Sequence, residues 1–148
     1  MTATQTRSDA GLAAALRISV SRLARRLRVE RQAEGLVSLS DTQLAALAVL
    51  EKHAAMTPGE LAEHEKVQPP SMTRVIAVLE ERQLVMRAPH PTDRRQVVLS
   101  VTEDGRALVV AARRRRDAWL AKRLKELTPD ERAMLRAAAP VLEKLSQA

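Results

Sequence analysis

Three segments of one form set where helices can begin: Ser40-Asp41-Thr42-Gln43, Thr57-Pro58-Gly59-Glu60 and Thr128-Pro129-Asp130-Glu131. In each, a hydroxyl residue stands three positions ahead of Gln or Glu, so each side chain can accept the other residue's backbone N–H. That satisfies two donors that a helix start otherwise leaves bare. Pro58 and Pro129 then occupy the first helical position, where a missing N–H costs little. Behind the first box, Leu44, Leu47 and Leu50 predict a helix ending near His53. The second opens a short helix through about Glu65. The third opens a last helix carrying Met134, Leu135, Val141, Leu142 and Leu145, which Pro140 is expected to kink or interrupt.

The remaining segments fill in around these starts. Leu12, Leu16, Val20, Leu23 and Leu27 follow helical spacing from Leu12 to about Arg31, with Arg17, Arg22, Arg25, Arg26 and Arg28 between them. Pro69 and Pro70 fit only the first turn of another helix, in which Met72, Val75, Ile76, Leu79 and Leu84 face one side. Gln68, Ser71, Thr73, Arg74 and Ala77 fall on or near the other side. Leu84 to Arg87, a turn-rich stretch from Pro89 to Gln96, and Val97, Leu99 and Val101 in alternation predict a β-hairpin with a long basic tip. Thr102 caps a long helix to about Leu127. The order is four helices, a hairpin and two helices, without repeat, low-complexity linker or domain boundary. The fold class is thus mainly α with a small β-wing.

At 148 residues and 45% hydrophobic content, one folded unit with its own core is expected. The absence of Cys excludes a disulfide framework, a thiolate zinc site and a thiol redox switch. The polar stretch from Met1 to Asp9 lacks a signal-peptide apolar run, and no segment approaches the ~18 apolar residues of a membrane span. A soluble, cytoplasmic protein with no membrane partner is the expectation.

The net charge of +7 is unevenly placed. Residues 40–101 hold 7 basic against 8 acidic side chains, yet within them Lys66 to Leu99 holds six basic against three acidic. Charge is focused on the second half of this stretch, which is more telling than the overall balance. With no Phe or Tyr, and Trp119 alone, the chain lacks the aromatic platforms of single-strand and RNA binders. No Gly-rich strand-to-helix turn supports nucleotide chemistry. His53, His64 and His90 stand on a helix end, the short helix and the hairpin, without i, i+4 pairing, so no metal or other cofactor is expected. Ser, His and Asp occur without a motif that would make a nucleophile and its base, so no enzyme is expected.

A short helix, a brief turn and a second helix with small polar residues at its exposed start form a helix-turn-helix arrangement. The second helix fits a major groove ~12 Å wide, and short side chains allow close approach to base edges. Arg74 can bond guanine O6 and N7, Gln68 can read adenine, and Ser71 and Thr73 can serve bases or phosphates. Taken alone, Gln68 and Ser71 are better explained as ordinary polar residues at a helix start. Asp93-Arg94-Arg95 at the hairpin tip could place guanidinium groups in the neighbouring minor groove, with Asp93 holding an Arg in place, or could be a solvated turn. The conjunction of helix pair and basic hairpin favours DNA. Arg113 to Arg116 cannot share one helix face and are read as solvated or paired, and Trp119 as interface core.

Leu39-Ser40-Asp41-Thr42-Gln43-Leu44, Leu61-Ala62, Ser71 to Glu80, and above all Asp93-Arg94-Arg95-Gln96-Val97-Val98-Leu99-Ser100-Val101-Thr102-Glu103-Asp104-Gly105 resemble the multiple antibiotic resistance regulator (MarR) family. The resemblance runs along essentially the whole chain, the outer helices matching by pattern alone. It implies a single domain over 1–148: dimerisation helices at about 10–35 and 103–147 flank a winged helix-turn-helix lobe at about 40–101. It further implies a homodimer on a pseudo-palindromic double-stranded operator, with Ser71, Thr73 and Arg74 in the major groove and Arg94 or Arg95 in the minor groove. Most relatives are repressors, often released by small anionic or phenolic ligands. Two departures stand out: Pro69 and Pro70 remove two backbone donors that could meet a phosphate, and the lack of Cys removes thiol-oxidation sensing. The competing readings are a nonspecific architectural DNA binder, and a helical protein-interaction module whose Arg-rich helices pair with an acidic partner.

Overall fold

The computed structural model describes residues 7–32 and 39–148. It contains α1 (Asp9–Gln32), α2 (Asp41–Lys52), α3 (Pro58–His64), α4 (Pro69–Glu81), β1 (Val85–Pro89), β2 (Val97–Val101), α5 (Glu103–Leu124) and α6 (Pro129–Ser146). The fold is mainly helical with one two-stranded antiparallel wing. The last positions expected for the first helix, 33–35, lie outside the described residues.

All three capping boxes form. The Ser40, Thr57 and Thr128 side chains accept the N–H of Gln43, Glu60 and Glu131, whose own side chains accept the cap N–H in return. Each cap is worth ~1 kcal/mol, which matters most for α3, too short to be stable by propensity alone. Pro140 does not interrupt α6, which runs unbroken from Pro129 to Ser146. The helix has no buried residue, so water can satisfy the carbonyl that proline leaves without a donor.

The chain falls into two compact units: Arg31–Arg114, and Met1–Glu30 with Arg115–Ala148. The first contains the core. Leu47, Leu50, Leu61, Met72, Ile76, Leu79, Leu99 and Val109 are fully buried, each contributing ~1.5–3 kcal/mol of transfer free energy. Leu84, expected on the apolar face of α4, belongs to this core but lies beyond the helix. The chain turns through Gln83 at φ 57°, and Leu84 N–H reaches back to the Leu79 carbonyl at 2.9 Å. A left-handed residue followed by a long-range return bond is how many helices end.

The strands pair from Val85↔Val101 to Pro89↔Val97. A further bridge joins Met56, in the loop before α3, to Leu99. At the root of the wing, the Thr102 hydroxyl donates to the Gln83 carbonyl at 2.7 Å and accepts the Gly105 N–H at 3.1 Å. A Cβ at Gly105 would collide with the Leu84 carbonyl oxygen, so only glycine fits this crossing.

The second unit is built differently. Leu12, Val20, Leu23 and Val29 of α1, and Met134, Leu135, Val141, Leu142 and Leu145 of α6, are all exposed. Arg26 and Arg123 each lie 5.7 Å from the centroid of Trp119, a cation–π arrangement on a ring expected to be interface core.

Candidate nucleic-acid interface

Helix α4 is anchored by Met72, Val75, Ile76 and Leu79, which 3.6-residue periodicity places on one side. The same periodicity leaves Gln68, Ser71, Thr73, Arg74 and Ala77 exposed. The turn into α4 passes through Lys66 at φ 54°, and Val67 N–H donates to the Ala62 carbonyl at 3.0 Å, so the turn is closed by backbone bonds. Gln68 is the N-cap, but its amide makes no capping bond and stays available. With prolines at the first two helical positions, Ser71 carries the one donor of the first three. The Thr73 hydroxyl donates to the Pro69 carbonyl at 2.9 Å, so it meets a partner through its lone pairs or its methyl group.

Arg74 has no acidic partner among the described residues. Two other cations of the same unit differ: Arg87 on β1 donates to Glu80 of α4 at 2.7 Å, and Arg113 to Glu51 of α2 at 3.2 Å. Such half-exposed pairs add at most ~1 kcal/mol each, but they remove those guanidiniums from the pool of free cations.

At the wing tip, Asp93 Oδ1 accepts the Arg95 backbone N–H at 3.0 Å and faces its Nε at 3.5 Å. Asp93 thus contacts Arg95, whose side chain remains 92% exposed, while Arg94 has no partner among the described residues. Beside the tip, an open cleft of about 300 Å³ is lined by Thr57, Pro58, Gly59, Arg95, Gln96 and Val97. The structure gathers Gln68, Ser71, Thr73 and Arg74 on one helix start and Asp93, Arg94 and Arg95 on one hairpin tip, within the same unit.

Two histidine relationships were not visible in the sequence. His53 and His64, separate along the chain, meet edge to face at 5.6 Å, because α2 ends beside the end of α3. No group of three metal-ligating residues occurs among the described residues. The sequence marks His90 only as a non-ligand, whereas its ring bonds the backbone of the wing tip. The legible signal was its place before Pro91-Thr92-Asp93, where a side-chain acceptor can cap a turn.

A short capped helix, a tight turn, an exposed helix packed on the same core and a two-stranded basic wing define a winged helix-turn-helix protein. Residues 39–97 match the profile of the MarR family. The chain is 55% identical over 135 residues to the uncharacterised HTH-type transcriptional regulator Mb0904 of Mycobacterium bovis, spanning 91% of this chain and 92% of the relative. It is 36% identical over 110 residues to the HTH-type transcriptional repressor MdtR of Bacillus subtilis, spanning 74% of this chain and 69% of that one. The crystal structure of wild-type MarR from E. coli superposes with a TM-score of 0.71 at 25% identity, covering 88% of this chain and 96% of that one. The chain belongs to the MarR family: it is a DNA-binding transcriptional regulator, and not an enzyme.

Proposed function

We propose that the chain is a homodimeric, sequence-specific repressor that binds a pseudo-palindromic operator and is released by a small anionic or phenolic ligand. The observation that carries sequence-specific binding is the exposed start of α4, where Gln68, Ser71, Thr73 and Arg74, which has no acidic partner among the described residues, stand over a buried core. Arg74 reads guanine through two donors, Gln68 reads adenine, and Ser71 and Thr73 meet bases or phosphates. Arg94 and Arg95 enter the minor groove, with Asp93 holding Arg95. Repression follows the likeness to MdtR, itself named a repressor. Ligand release rests on the family resemblance.

The dimer is supported by the apolar residues of α1 and α6. Among the described residues, nine large hydrophobic side chains are exposed there, from Leu142 at 39% to Met134 at 63%. Large apolar side chains left exposed in such number mark association sites, and a second copy offers the same faces in return. Residues 1–148 then act as one domain, with flanking helices pairing and residues 40–101 presenting the winged lobe.

The test is selection of bound duplexes from a random library at about physiological salt, where nonspecific binding is only ~10⁻⁴–10⁻⁶ M. An inverted repeat with half-sites about 10 base pairs apart is expected. Unpatterned DNA would favour an architectural binder, and no DNA at all a protein-interaction module.

A further inference from the structure

The tip of the wing is held by a ring nitrogen. His90 Nδ1 accepts the backbone N–H of Asp93 at 3.0 Å and of Thr92 at 3.2 Å, with the Thr92 hydroxyl at 3.4 Å. The His90 N–H donates to the Gln96 carbonyl at 3.2 Å, and the Gln96 N–H to the Asp93 carbonyl at 3.1 Å. Asp93 in turn accepts the Arg95 N–H. The loop carrying both wing arginines is thus closed through one imidazole, between two prolines that restrict the backbone on either side.

Two backbone donors aimed at Nδ1 permit one neutral tautomer, that with the proton on Nε2. Protonating Nδ1 would set a third N–H against two others, and both bonds would be lost. We infer that His90 is a positioning residue for DNA binding: its neutral Nε2–H imidazole holds the wing tip in the shape that presents Arg94 and Arg95. The inference rests on the proposed DNA-binding role of the wing. The charged side chains of the same tip are Asp93, Arg94 and Arg95. Across the adjoining cleft stands α3, whose Glu60 carboxylate is bound to the Thr57 N–H. Arg87, further down β1, is paired with Glu80.

The experiment has two arms. In the free, isotope-labelled protein at pH 8, nitrogen-detected imidazole spectra should show His90 as the Nε2–H tautomer. The Thr92 and Asp93 amide signals should shift in the His90→Ala variant and stay near their wild-type positions in His90→Asn. In the second arm, affinities are measured at pH 8 for the duplex recovered by selection. His90→Ala should bind about tenfold more weakly, since two backbone donors lose their acceptor. His90→Asn, whose amide oxygen can accept in its place, should stay within about twofold of wild type. A proton on Nδ1 at pH 8, amides indifferent to the ring, or an alanine variant that binds like wild type overturns the inference alone. If the wild-type protein binds no duplex, the DNA-binding reading fails and the inference with it.

Discussion

Leu99 and Met56 exchange both of their backbone hydrogen bonds, Leu99 N–H to the Met56 carbonyl at 2.7 Å and Met56 N–H to the Leu99 carbonyl at 3.1 Å. This bridge ties β2 to the loop that launches α3, so the wing and the helix pair share one support. The Leu99 side chain is also fully buried. Leu99→Ala should cost ~2–5 kcal/mol, read as a fall in the denaturant midpoint at unchanged slope.

Gly105→Ala should be more damaging than its size suggests. The added methyl meets the Leu84 carbonyl oxygen and comes within 2.7 Å of Val101 Cγ2, and the carbonyl is backbone that cannot rotate away. A loss of ~1–3 kcal/mol is expected by thermal unfolding. An unchanged melting temperature would mean that α5 can slide at its first turn.

Arg74→Ala and Arg94→Ala should differ in kind. The first should relax preference at one base position by ~1–3 kcal/mol. The second should weaken binding to all sequences alike and lower the salt dependence by about one counterion. Selection repeated with each variant, together with affinities at two salt concentrations, separates the two roles.

Val141→Glu and Leu145→Glu alter side chains that are 58% and 59% exposed in the single chain, so its folding should be little affected. In the proposed dimer each would bury a charge in an apolar face and weaken association by at least ~2 kcal/mol. Sedimentation should show monomers where the wild type is dimeric. A dimer that survives both changes places the interface elsewhere.

Gln83→Gly should stabilise the protein by ~0.5–1 kcal/mol, because φ 57° strains any side chain and the backbone bonds of the turn are kept. Equilibrium unfolding checks the sign. Destabilisation would show that the Gln83 side chain contributes more than the strain costs.

The sequence by itself determined the elements and their faces. Capping boxes at Ser40, Thr57 and Thr128, prolines at the starts of α3, α4 and α6, and period-3.6 apolar residues act within a few positions of themselves. Their outcome does not wait on the rest of the chain. The exposure of Gln68, Ser71, Thr73 and Arg74 followed from the same period. Only the tertiary structure decided which groups remain free. Among the described residues Arg74 and Arg94 have no acidic partner, while Arg87 and Arg113 pair with Glu80 and Glu51, residues 7 and 62 positions away. The Met56–Leu99 bridge and the His53–His64 contact likewise depend on chain separations that no local pattern encodes. His90 lies between these cases: its partners are two and three residues away, yet its role depends on a lone pair and a ring orientation. Composition and spacing leave that choice open, and the closed hairpin settles it.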